Sequence, residues 1–156
     1  MPNALIDDTP RPMTAVGLGQ RVPDFVVKAF TGKEESVRLS RSLGRPVLVF
    51  FYVPSSETGR EVIEYAKNLA QQQGDKLAVM AMAVTKDAKL AQKQHQDMQL
   101  PFALLDGRAM HLTFGVDATP RLVLLDAEGI VRYAHTGWGP HIPRELQDEL
   151  QQWLRK

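Results

Sequence analysis

The chain has 156 residues, 44% of them hydrophobic, which is enough for one globular domain with a sizeable core. Its formal net charge is +1 and no block of like charges occurs, arguing against nucleic acid or an anionic membrane surface as an obligate partner. No apolar run approaches the roughly 18 residues that span a bilayer, and the lack of any cysteine excludes disulfides, thiol chemistry and cysteine-ligated metals.

Residues 1 to 20 contain three prolines and two glycines with little periodicity, so they are expected to be an extended or poorly ordered lead-in to a domain spanning 21 to 156. As written, Met1 to Pro10 lacks the basic region and apolar core of a signal peptide. Arg21 to Ser40 predicts two short strands about a Thr31-Gly32 turn, with Asp24 as a turn residue and Ser40 capping a helix. Val47 to Val53 is a continuous β-branched and aromatic run without alternation, the pattern of a strand buried on both faces at the centre of a sheet. It passes through Pro54, Ser55 and Ser56 into a helix with Val62, Ile63, Ala66, Leu69 and Ala70 on its apolar side.

Gly74-Asp75 ends that helix, and Leu77 to Val84 reads as a parallel strand reached by the helical crossover, with Met80 and Met82 in the core. A polar surface helix follows from Ala88 to about Met98, then an extended segment from Leu100 to Asp106 and a small helix from Gly107 to Phe114. Leu122 to Leu125 and Ile130 to Ala134 form a hairpin about a turn at Asp126 to Gly129. A final helix, Pro143 to Leu154, carries Leu146, Leu150, Trp153 and Leu154 on one face. Strand, helix, strand and helix in this order predict an α/β fold with a parallel half-sheet.

Open α/β sheets place their chemistry where a strand delivers its carboxyl end to a helix amino terminus. Here that junction is Phe51-Tyr52-Val53-Pro54-Ser55-Ser56-Glu57-Thr58-Gly59-Arg60. It resembles the thioredoxin-type active site, in which an aromatic-rich strand runs into Cys-x-x-Cys-Arg, with Ser56 and Gly59 standing at the two cysteine positions. Pro23-Asp24-Phe25, Val37-Arg38-Leu39-Ser40 and Gly44 to Val49 are similar to the amino-terminal segment of the TlpA/ResA and peroxiredoxin branches of that superfamily. Phe114-Gly-Val-Asp-Ala-Thr-Pro120 and the following Leu122 to Gly129 resemble its Thr-Pro strand and turn. The resemblance covers about residues 21 to 155. It implies a thioredoxin-like fold, a central mixed β-sheet flanked by helices with an N-terminal β-hairpin extension, and a cis Pro120 packed against the junction. A second register aligns Pro54, Thr58 and Glu61 with the Pro-x-x-x-Thr-x-x-Cys of peroxiredoxins; a carboxylate does not reduce peroxide, so the thiol is absent in either register.

Two functional readings follow. In the first, the domain is redox-inactive and binds a protein or extended peptide in the former active-site groove, formed by Tyr52, Pro54, Ser55, Ser56, Glu57, Thr58, Thr119, Pro120 and Trp138. In the superfamily, backbone groups just before the cis-proline pair with an extended substrate, a form of strand addition. In the second, the chain is an enzyme with non-thiol chemistry or a small-molecule site at Ser56 and Thr58, which requires a base within about 3 Å. Helix capping is the simpler role for Ser55, Ser56 and Thr58, with Glu57 favourable in the first turn. His95, His111, His135 and His141 lack metal-ligand spacing, so neither metal nor cofactor is expected. Trp138, in the loop His135 to His141, is either a cover for the hairpin or an exposed anchor. The resemblance implies a periplasmic or extracytoplasmic location if an anchor was removed and a cytoplasmic one otherwise; composition does not choose.

Overall fold

The computed structural model describes residues 15–154. Its centre is β3 (Val47–Tyr52), whose six residues are all buried. β3 pairs in parallel with β4 (Ala78–Ala83), and β4 with β5 (Leu104–Asp106). On its other side β3 pairs antiparallel with β6 (Arg121–Leu125), which pairs antiparallel with β7 (Val131–Thr136). The strand order is therefore β5-β4-β3-β6-β7, a mixed sheet.

The alternation that β3 lacks in sequence is present in space. Leu48, Phe50 and Tyr52 pack on one face with Val62, Ile63, Ala66 and Leu69 of α1 (Glu57–Gln73) and with Leu146 and Leu150 of α4 (Ile142–Trp153). Val47, Val49 and Phe51 pack on the other face with Val27, Leu39 and Phe114. Both faces are covered, so period 2 disappears from the hydropathy pattern although each residue obeys it. α2 (Ala88–Met98) buries only Ala91 completely, in keeping with its polar composition, and Asp87 caps it by accepting from the Leu90 N–H at 3.1 Å.

The predicted amino-terminal hairpin is present as β1 (Val26–Lys28) and β2 (Ser36–Arg38), paired antiparallel. Its tip covers the exposed edge of β5: the Phe30 N–H donates to the Leu104 carbonyl at 2.8 Å, and Thr31 Oγ1 accepts from the Leu104 N–H at 2.9 Å. Ser40 does not cap a helix. It sits inside a 3-10 turn, Leu39–Arg41, and its N–H donates to Asp24 Oδ1 at 2.8 Å. Asp24 also accepts from the Phe25 N–H and from the Arg38 guanidinium, so it ties β1 to the end of β2 rather than merely turning the chain.

The lead-in is ordered where it is described. The Val16 N–H donates to the Thr113 carbonyl, the Gly19 N–H to the Val131 carbonyl, and Gln20 accepts from the Val131 N–H. Val16 is thus tied to the 111–114 segment, and Gly19 and Gln20 pair with Val131 at the start of β7, contacts with no local sequence signal; residues 1–14 lie outside the described residues. The segment 107–114 divides into a 3-10 turn, Gly107–Met110, and one turn of helix, α3 (His111–Phe114). In the β6–β7 turn, the buried Asp126 accepts from the Glu128 and Ile130 N–H groups at 2.9 and 3.1 Å and from Arg132 Nε at 2.8 Å. Burial alone would raise its pKa; the three hydrogen bonds outweigh it and hold the carboxyl below the usual range. Gly129 completes this turn at φ +88°, a conformation that L side chains rarely adopt.

Candidate functional site

The junction between β3 and α1 is built around one serine. Ser56 has an extended backbone and is the N-cap of α1, its Oγ accepting from the Gly59 N–H at 2.8 Å. Its own N–H donates to the Val53 carbonyl at 3.0 Å, and its carbonyl accepts from the Arg60 N–H. Ser55, Glu57 and Thr58 are exposed, and Glu57 lies in the first turn, where a carboxylate complements the helix dipole. Gly59 is buried against the junction backbone. A Cβ there would sit 2.3 Å from the Val53 oxygen and 2.8 Å from Ser56 Oγ. The Gly59 position is therefore closed to any side chain in this loop conformation.

Pro120 is cis, and the β3–β6 register, ending at Phe51↔Arg121, carries Thr119-Pro120 alongside the outgoing end of β3. On the opposite side of β3, the Val84 N–H donates to the Tyr52 carbonyl at 2.8 Å. Pro120 itself is buried, while Thr119 is half-exposed. Among the described residues, Ala118 and Thr119 have no backbone hydrogen-bond partner for either N–H or C=O.

Two of the expected groove residues lie elsewhere. Tyr52 alternates into the core and is fully buried; its hydroxyl donates to Gln94 Oε1 at 2.7 Å, and burial raises the phenol pKa strongly. The Gln94 amide reaches on to the Pro54 carbonyl at 3.4 Å, linking α2 to the junction. Trp138 packs on Tyr65 of α1 with ring centroids 5.5 Å apart and is half-buried, so it covers the end of the hairpin instead of standing out as an anchor. Sequence reasoning missed Gln94 because nothing in a polar surface helix marks one amide as the partner of a distant buried phenol.

Of the remaining residues, Pro54 and Ser55 fall in one concavity and Thr119 in another. Pro54 and Ser55 border a concavity of about 550 Å³ between α1 and α2, with Leu90 and Met98 among its walls and the Lys93–Asp97 pair, 2.9 Å apart, at its edge. Thr119 borders a second one of about 460 Å³ with Val84, Gly107, Arg108, His111 and Val116. Hydrolytic or transfer chemistry finds little support: no histidine or carboxylate is hydrogen-bonded to Ser56 or Thr58 among the described residues, and the Ser56 hydroxyl oxygen is engaged by the cap. No group of three or more His, Cys, Asp or Glu with metal-binding geometry occurs among them. His135 lies between Tyr133 and His141, with ring centroids 6.4 and 6.2 Å away, and the His111 Nδ1 lies 2.9 Å from the Arg108 carbonyl.

A mixed five-stranded sheet with an amino-terminal hairpin, a central strand running into a capped helix and a cis Thr-Pro beside that junction define a thioredoxin-like domain. Residues 18–149 match the family model described as Redoxin, and the chain belongs to that family. It is 28% identical over 147 residues to the thiol:disulfide interchange protein DsbE of Escherichia coli K12, covering 92% of this chain and 77% of that protein. It is 28% identical over 125 residues to the thioredoxin-like protein YneN of Bacillus subtilis, covering 76% and 71%. The crystal structure of a putative thiol:disulfide interchange protein DsbE from Chlorobium tepidum superposes with a TM-score of 0.77 at 23% identity, covering 90% of this chain and 99% of that one. That likeness concerns the fold. Thiol chemistry needs a thiolate, and this chain has no cysteine.

Proposed function

We propose that this redoxin-family domain performs no thiol exchange and binds an extended polypeptide segment at the Thr119-Pro120 end of its sheet. The observation that carries the reading is the contrast within the site. At the cysteine positions, Ser56 serves as a helix cap and Gly59 has no room for a side chain. Beside them, the backbone of Ala118 and Thr119 is left with hydrogen-bonding groups unpaired by any described residue. These two residues lie in the bend leading into β6, and unpaired backbone beside a sheet can recruit a further strand, giving affinity from main-chain hydrogen bonds and selectivity from the alternating side chains. DsbE carries the name of a protein that acts by thiol:disulfide interchange; the present chain retains the frame of that fold around a junction adapted to capping.

The test is direct binding of a display-selected peptide, measured by fluorescence anisotropy with the natural protein and with Thr119→Arg. The arginine projects from a half-exposed position and leaves the core untouched. The expected result is at least about tenfold weaker binding by the variant, a difference of about 1.4 kcal/mol. In parallel, insulin reduction by dithiothreitol is expected to proceed at the uncatalysed rate. Unchanged affinity in the variant locates the binding surface elsewhere and refutes the proposal.

A further inference from the structure

We propose that the concavity beside Thr119 is a side-chain pocket that selects tyrosine or tryptophan in the bound strand. This rests on the peptide-binding reading above and adds its specificity. A strand paired to Ala118 and Thr119 sends alternate side chains to opposite faces, so one in two points to the pocket side. The volume, about 460 Å³, is within the roughly 300–1,000 Å³ of small-ligand pockets and suits one large side chain. Val84, Val116 and Ala118 supply apolar wall, and Gly107, which packs with its backbone against Met82, adds no side chain to obstruct it.

The polar rim decides the chemistry. Arg108 offers no free charge: its Nε and Nη2 donate to the two oxygens of Asp106 at 2.9 and 2.8 Å. An acidic side chain therefore gains little there. At His111, Nδ1 lies 2.9 Å from the Arg108 carbonyl. A carbonyl only accepts, so Nδ1 carries a proton, and in the neutral form of the ring Nε2 is then the acceptor. Asp117, the other rim group, is also an acceptor. A pocket with apolar walls and acceptors at its rim is complementary to a large apolar body tipped by a single donor. Tyrosine Oη–H and tryptophan Nε1–H meet that description. Lysine brings donors as well, but its strongly hydrated ammonium loses water against apolar walls at a cost.

The experiment uses labelled nine-residue peptides identical except for a central Tyr, Trp, Phe, Leu, Lys or Glu, with anisotropy as readout. The natural protein is expected to bind the Tyr and Trp peptides about five- to tenfold more tightly than the Phe peptide, as one hydrogen bond contributes. Combining His111→Ala with Asp117→Ala removes both rim acceptors and is expected to abolish that difference. His111 and Asp117 are both exposed, so the substitutions spare the core, and a melting curve checks this. Equal binding of Tyr and Phe by the natural protein, preference for Lys or Glu, or discrimination that survives the double substitution overturns the inference. If all six peptides bind alike and Thr119→Arg weakens all of them, only the specificity fails. If none binds, or if Thr119→Arg changes nothing, the binding reading fails with it.

Discussion

Replacing Gly59 by alanine sets two effects of opposite sign against each other. Gly59 lies in the first turn of α1 with no positive φ, so its backbone suits any residue. Helix propensity alone then predicts stabilisation by about 1 kcal/mol. The added methyl, however, would sit 2.3 Å from the Val53 oxygen and 2.8 Å from Ser56 Oγ. The first neighbour is backbone and cannot rotate aside; the second is the capping oxygen, and moving it weakens a cap worth about 1 kcal/mol. Overpacking of this kind costs about 1–3 kcal/mol. Clash and weakened cap together exceed the propensity gain, and a net loss of about 1–3 kcal/mol is expected, or a fall in Tm of roughly 2–12 °C at this chain length. Urea denaturation with matched m-values measures it. Gly17→Ala is the control, since a Cβ there meets only Gln20 Oε1 at an ordinary 3.6 Å. Gly59→Ala at least as stable as the natural protein refutes the closed-junction argument, and with it the reason why a Ser56→Cys, Gly59→Cys double variant should fold poorly rather than regain exchange activity.

Two further outcomes follow from buried polar groups. Gln94→Ala leaves the fully buried Tyr52 hydroxyl without its partner and is expected to cost about 1–3 kcal/mol, whereas Tyr52→Phe combined with Gln94→Leu should recover much of that loss; a double variant as unstable as the single refutes the pairing. Asp126 has a folded pKa held below the unfolded value near 3.9, so its contribution is present above that pH and lost as pH falls through the folded value. Asp126→Asn, lacking this dependence, is expected to be less stable at pH 7, with the gap to the natural protein narrowing below about pH 4; a gap constant from pH 7 to pH 3 contradicts it.

The order of elements was legible in the chain itself. Continuous apolar runs at 47–53 and 77–84, the 3.6-residue stripe of α1 and the Thr-Pro before β6 are local signals, and local signals survive into the fold because every element agrees with its neighbours. The absence of any cysteine was equally legible, being a matter of residue identity. Only tertiary structure assigned faces and partners. Tyr52 looked like a surface member of the site because a strand buried on both sides hides its own alternation. Trp138 could be placed only once Tyr65, 73 positions earlier, was known to lie beneath it. Gly19 and Gln20 carry no periodic signal because their order comes from pairing with Val131 of β7, and a strand edge supplies hydrogen bonds to whatever backbone reaches it. The amide of Gln94, the acceptor nitrogen of His111 and the closed space at Gly59 belong to the same class: each depends on a distance between residues remote in sequence or on the exact path of a loop, and neither quantity is written in residue type.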